Sequence, residues 1–431
     1  MVSSEDPRFR LSDASATELA ACFGTPLYVV NERHYRARLR EYAQAARAAH
    51  PRGEITFASK ANSTLALLKI AHQEGAGIDV ASEGELRAAL AAGIPASACH
   101  LHGNNKQISE LKFALAEGVG LIVLDHFSEI EQVADLRPWG NTQFVLRLAP
   151  GVDPITHEKI STGQADTKFG FNISDGSASR ATLRCLELQI PLIGFHCHVG
   201  SQLLDPAAQQ SGGSLITQFA VAMLREHGFR SQYLNVGGGL GVRYTEKDAP
   251  MGCEEYCRLI ADTLKTELAG TGLDPVLAQE PGRSLIAESG VTLYRVGVIK
   301  DVPAAGGTKT FVSVDGGLSD NPRPVMYGSA YTVEAIGRRG ATRKVTVSGK
   351  HCETDTLFPG IELPVDLAEG DLLQVLCTGA YNATMASNYN RYPRPATALI
   401  RENGTFELIQ RRETWNEMFS RELIPTGLGA S

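Results

Sequence analysis

The 431-residue chain carries 41 basic and 48 acidic side chains, a net charge of −7, and no Lys/Arg block, which argues against a nucleic-acid surface. This length exceeds what one core usually fills, so two domains are expected. The first twenty residues hold Asp, Glu and Arg without an apolar run, and no stretch reaches about 18 apolar residues. Neither a secretory leader nor a membrane span is therefore expected, and a cytoplasmic protein is.

An early strand is expected over 26–31. From about residue 55, short β-branched runs alternate with Ala/Leu/Glu/Lys-rich stretches of helical period. The pattern predicts strands over 55–61, 77–82, 98–103, 121–126, 143–149, 192–200, 233–239 and 275–281. Helices are predicted between them over 64–74, 83–92, 108–117, 128–136, 216–226 and 254–268. Such alternation implies right-handed βαβ units and a parallel sheet. Eight strands suggest a closed (β/α)8 barrel, with an open doubly wound sheet as the alternative. After residue 284 long helical periods become scarce. Strands are predicted over 293–302, 310–315, 344–348, 372–378 and 397–400, separated by Pro/Gly-rich connections. The expected organisation is an N-terminal segment, 1–33, pairing with a β domain, a barrel over 34–284, and the β domain over 285–431.

Polar residues fall at the C-terminal ends of the predicted strands: Lys60, Asp79, His102 with Asn104 and Asn105, Asp125, Arg147, His196 with His198, Gly237–Gly239 and Glu280. That is the face on which barrel enzymes carry their active sites. Gly237, Gly238 and Gly239 would expose backbone N–H groups as an anion cradle, or else form a flexible turn. Glu280-Pro281-Gly282-Arg283 places a cation beside them, and loops after strands seven and eight are the usual barrel phosphate site. Lys60 ends the first strand, where desolvation would lower its pKa and free the amine for Schiff-base chemistry. Lysine, carboxylate and phosphate cradle together are what pyridoxal 5'-phosphate requires. Glu280 would pair with its pyridine nitrogen, and His198 would stack on its ring.

Two metal readings compete with this one. His196-Cys197-His198 resembles the histidine pairs of metal-dependent barrel hydrolases, but too few further ligands follow it. Cys253 and Cys257 share a helix face without a second ligand pair. No metal is expected.

The runs SKANS at 59–63, HGNNK at 102–106, HVGSQ at 198–202, NVGGGLG at 235–241, EPGRS at 280–284, VDGGLSDNPRP at 314–324, HCETD at 351–355 and GAYN at 379–382 resemble the diaminopimelate decarboxylase family. The resemblance spans nearly the whole chain in order. It implies a fold-type III pyridoxal-phosphate carboxy-lyase, with an alanine-racemase-like barrel and a β domain, that converts meso-2,6-diaminopimelate to L-lysine and CO2. By the same resemblance Lys60 holds the cofactor. Asp79 and His198 face the cofactor, and Ser201, Gly237, Gly238, Gly239, Gly282 and Tyr381 bind it. Glu280 faces its pyridine nitrogen, and Arg283 contacts cofactor or substrate. Cys352 would be the proton donor after CO2 loss. Glu353 would take the substrate's distal ammonium, with Arg323, Tyr327 and Tyr381 at the distal carboxylate. Cys352 would serve the site of a partner subunit, implying a homodimer. The substrate choice has independent chemical support, because a second carboxylate calls for a cation, and the planar fork of Arg323 suits it. Glu83 in SEGEL stands where glycine is usual, close to the site in sequence. Competing readings are a sister decarboxylase of ornithine, lysine, carboxynorspermidine or a secondary metabolite, and a non-catalytic homologue. The latter should lack Lys60 or Cys352, and both are present.

Overall fold

A computed structural model describes residues 6–152 and 167–428. The chain divides into two compact units, one formed by Met1–Pro7 with Arg33–Ser289, the other by Arg8–Glu32 with Gly290–Ser431.

The first unit is a closed parallel barrel. Its strands are, in order, Gly53–Ala58, Gly77–Val80, Cys99–Leu101, Leu121–Leu124, Gln143–Ala149, Leu192–His196, Tyr233–Asn235 and Val276–Gln279. Each pairs with the next. The eighth returns to the first, with Leu277 opposite Gly53 and Gln279 opposite Ile55. That last pairing excludes the doubly wound alternative. The strands are apolar and almost wholly buried, as strands covered on both faces must be. Leu121, Val123, Val145, Ile193, Tyr233 and Ala278 pack together from five neighbouring strands.

The helices between strands carry the expected signals. Ile108–Glu117 opens with a Gln107/Glu110 capping box and ends on Gly118 at φ 74°, where a left-handed residue closes the last turn. Glu83–Ala91 is capped by Ser82, whose hydroxyl accepts from the Glu85 N–H at 3.2 Å. Glu32–Ala49 and Ser177–Glu187 are helices that the sequence pattern did not single out.

The second unit is built on a nine-stranded sheet. Leu27–Asn31 lies between Gly290–Ala304, antiparallel to it, and Ala396–Ile400, parallel to it. Leu27, Val29, Val291, Leu293, Leu376 and Ala398 form the core of this sheet against Leu19 of the helix Asp13–Phe23, with alternate residues of each strand facing in. Val333–Ala335, Thr356–Pro364 and Phe406–Gln410 are strands absent from the sequence expectation.

Candidate active site

All barrel strands but Gln143–Ala149 end earlier than the sequence suggested; Asp79, Arg147 and His196 lie within their strands, while Lys60, His102, His198, the three glycines and Glu280 stand on the turns just beyond. After Gly53–Ala58 the chain enters a single 3-10 turn, Ser59–Ala61, that carries Lys60. The turn is pinned by Glu85, whose carboxylate accepts from Ser59 Oγ at 2.8 Å and from the Ala81 N–H at 2.7 Å. Glu83 faces elsewhere and pairs with Arg87. Lys60 itself is exposed in the single chain, against the desolvation expected of a strand-end lysine. It stands past the strand, on the open rim rather than in the wall.

The eighth strand lies between the first and the seventh, so Lys60, Glu280 and the glycines come from three adjacent strands. Strand spacing of about 4.8 Å keeps them within one small patch. Gly282 packs against the Lys60 turn, where an added Cβ would sit 3.1 Å from the Cβ of both Ala58 and Ala61. The Ala58 N–H donates to the Pro281 carbonyl at 3.2 Å.

Glu280 is buried, and its oxygens are surrounded. Oε1 lies 2.9 Å from His102 Nε2 and accepts from Asn235 Nδ2 at 2.7 Å, while Oε2 lies 3.0 Å from His196 Nε2. Burial alone would raise this carboxyl. The two imidazoles outweigh burial and hold it well below the ordinary carboxylate range. Asp79, with Oδ1 3.5 Å from His102 Nε2, is pushed up to about 6 by burial, against the pull of His102. His102, His196 and Glu280 are the one trio among the described residues whose ligand atoms crowd within 4.8 Å of one another. His198 is not part of it, so the two histidines of the HCH run have separate partners. His198 Nδ1 accepts from the Gly238 N–H at 3.3 Å. Burial, with Lys60 and Arg147 nearby, holds its pKa well below the usual value, so the ring is neutral.

The glycine loop leaves no space for side chains. Gly237 and Gly239 have φ of 73° and 132°. A Cβ on Gly238 would lie 2.2 Å from the Glu280 carbonyl oxygen. Asn235 Oδ1 accepts from the Gly237 N–H at 2.8 Å, and Gln209 Nε2 donates to the Val236 carbonyl at 3.1 Å. Beside the loop the buried Arg283 donates from Nη2 to Ser201 Oγ at 2.9 Å and from Nη1 to the Tyr244 hydroxyl.

The remaining predicted residues lie in the second unit, in two groups. Arg323 is buried, its guanidinium 5.2 Å from the Tyr327 ring centroid and 5.5 Å from that of Tyr381. Cys352 and Glu353 are exposed on a separate loop, where Glu353 accepts from the Tyr389 hydroxyl and the Cys352 N–H donates to Asn390 Oδ1 at 3.1 Å. The sequence reading named His102 only as a strand-end residue, and His196 as one of those and as half of a rejected metal pair with His198. It gave Asn235, Gln209, Glu85 and Tyr244 no role. Asn235 and Tyr244 lie beside the glycine motif, but Glu280 and Arg283, which they bond, come from beyond the eighth strand.

A family model described as the pyridoxal binding domain of pyridoxal-dependent decarboxylases matches residues 36–287. Diaminopimelate decarboxylase of Bacillus subtilis (strain 168) is 43 % identical over 420 residues, covering 96 % of this chain and 94 % of that protein. The enzyme of that name from Actinosynnema pretiosum subsp. auranticum is 42 % identical over 416 residues, covering 96 % and 92 %. The crystal structure of diaminopimelate decarboxylase from M. jannaschii in co-complex with L-lysine matches with a TM-score of 0.89 at 31 % identity, covering 98 % of each chain.

The site fits the cofactor of that family. A phosphate needs backbone approach, and the side-chain-free loop at Gly237–Gly239 gives it, with Arg283 and Ser201 alongside. A protonated ring nitrogen needs an anion, and Glu280 is kept ionised by its two imidazoles. Matched along almost its whole length and folded in the same way, the chain belongs to the pyridoxal-dependent decarboxylases and, among them, to the diaminopimelate decarboxylase family.

Proposed function

We propose that this chain removes CO2 from meso-2,6-diaminopimelate to leave L-lysine, using pyridoxal phosphate. The observation that carries the reading is the Glu280 cluster beside the Lys60 turn and the glycine loop, in a chain with relatives of that activity 43 % identical over almost its full length. When bound, pyridoxal phosphate supplies the carbonyl that joins an amine and the sink for the electron pair left as the Cα–carboxylate bond breaks.

The chain's residues do the rest. Lys60 offers the amine that holds the cofactor. Its exposed position leaves it room to exchange with an incoming substrate amine. Glu280 keeps a proton on the ring nitrogen by remaining ionised. The neutral His198 offers a flat face without adding a competing charge. Arg283, Ser201 and the three glycines hold the phosphate. In the second unit Arg323 grips the distal carboxylate, flanked by Tyr327 and Tyr381. Glu353 takes the distal ammonium, and the Cys352 thiol delivers a proton to Cα after CO2 leaves.

Two copies are proposed to assemble so that the Cys352 loop of each completes the other's site. Among the described residues no helix is long and apolar enough to cross a membrane. All eight cysteines are free thiols, which favours a reducing, cytoplasmic compartment.

The test is CO2 release from meso-diaminopimelate beside ornithine, lysine and arginine. A preference for diaminopimelate is expected, and a preference for a monocarboxylate would replace this reading with a sister decarboxylase. Lys60→Ala should abolish turnover and the visible cofactor band that borohydride bleaches in the parent.

A further inference from the structure

The second unit contains a buried carboxylate that none of the steps above uses. Asp355 is 4 % exposed, and its side chain accepts three hydrogen bonds. Oδ2 takes His351 Nδ1 at 2.7 Å and the His351 backbone N–H at 3.2 Å, and Oδ1 takes the Leu318 N–H at 3.0 Å. The Asp355 carbonyl accepts from the Gly349 N–H at 2.7 Å, closing the 349–355 segment on itself. The Lys350 N–H donates to the Gly316 carbonyl at 3.0 Å. The dyad is packed so closely that a Cβ on Gly349 would lie 1.9 Å from Asp355 Oδ2, and one on Gly317 would lie 2.2 Å from His351 Nδ1.

Each end of the dyad reaches a substrate-gripping segment. The His351 side chain is fully buried and stacks on Tyr389, with centroids 5.8 Å apart and planes at 14°. Tyr389 donates to Glu353, and the adjacent Asn390 accepts from the Cys352 N–H. On the other side Leu318 belongs to the turn in which the Asn321 N–H bonds the Gly317 carbonyl at 2.9 Å. That turn leads directly into the helix Arg323–Tyr327. Neither segment is held by regular ladder bonds along its length. One buried carboxylate with three N–H donors ties them in a common register, where burial keeps the bonds strong.

We propose that His351 and Asp355 are positioning residues that hold the Cys352–Glu353 loop and the Arg323 turn in a fixed register, so that each presents its charge to the distal amino-acid group in the site it serves. The proposal rests on the assignment of Arg323 and Glu353 to that group. A preorganised grip needs its charges held to within a fraction of an ångström, and a 1 Å misplacement costs on the order of 100-fold.

The experiment compares holoenzymes carrying His351→Leu, His351→Asn and Asp355→Asn, with Arg323→Ala and Glu353→Gln as references. Asparagine at 351 keeps an N–H where Nδ1 stands, and leucine does not. KM for diaminopimelate is expected to rise roughly 10- to 100-fold in His351→Leu and Asp355→Asn. His351→Asn should stay within about threefold of the parent. The cofactor bound per chain and its absorbance spectrum should not change in any of the three, because the dyad lies in the β unit. An unchanged KM in both His351→Leu and Asp355→Asn overturns the proposal. So does equal damage from Asn and Leu at 351. If Arg323→Ala and Glu353→Gln also leave KM unchanged, the assignment of the distal site is what has failed. If those two raise KM and the dyad variants do not, only the positioning role falls. Should His351→Leu not fold, Asp355→Asn and His351→Asn decide between the same outcomes.

Discussion

Glu280 takes an amide and an imidazole on one oxygen and a second imidazole on the other, and the balance between burial and those partners sets its charge. His196→Leu removes one of the two groups that outweigh burial, so the Glu280 pKa should rise. Activity should then be lost at a higher pH on the acid side than in the parent. His196→Gln, with an amide N–H where Nε2 stands, should restore part of the difference in a pH–rate profile. Arg323→Ala should raise KM for diaminopimelate roughly 10- to 100-fold, the worth of about 1.5–3 kcal/mol for a bond to a charged group. An unchanged KM would take Arg323 out of the site. Lys60, Glu280 and the glycines were legible in the sequence because each ends a strand that should read apolar. The pairing of His102 and His196 with Glu280 was not visible, since nothing local says that both face one carboxylate 84 or more residues further on. The desolvation expected of Lys60 was misplaced because the strand stops at Ala58 and a short turn carries the lysine to the rim.

Among the elements, every barrel strand except Gln143–Ala149 stops short of its predicted C-terminal end. The seventh stops at Asn235 because Gly237 must turn with positive φ and its neighbour lies against the Glu280 carbonyl. Gly238→Ala should therefore cost cofactor affinity while the barrel still folds. The check is the pyridoxal phosphate content of the purified protein beside its far-ultraviolet circular dichroism. The strand Thr356–Pro364 went unread because Pro359 and Gly360 interrupt it, and its pairing with Thr342–Ser348 is broken by register shifts at that level. The helix Glu32–Ala49 does carry a legible period, with Tyr35, Leu39, Tyr42 and Ala46 buried, but its many arginines masked it.

For the whole molecule, pH and assembly are the accessible tests. Burial pushes Asp320 up to about 7, with Tyr294 and the Gly317 N–H as its partners. The folded state thus keeps a proton that the unfolded chain loses near 3.8. The stability this proton contributes is fully present below that value and is lost as pH rises through about 7. Asp320→Asn should flatten the fall in melting temperature between acidic and neutral pH, by a difference on the order of 4 kcal/mol over the window. If sites are shared between copies, mixing inactive Lys60→Ala and Cys352→Ala proteins should restore about a quarter of parental activity through hybrid dimers. No recovery after subunit exchange would place each site within one chain. The sequence by itself determined the alternation of strands and helices, the β-rich second half and the residue types at the strand ends, because periodicity and chemistry are local properties of the chain. Only the tertiary structure decided that the eighth strand closes on the first, that two distant histidines keep Glu280 ionised, and that Asp355 joins the Cys352 loop to the Arg323 turn. Those depend on side chains from separate strands and loops meeting in space, and no local pattern encodes such a meeting.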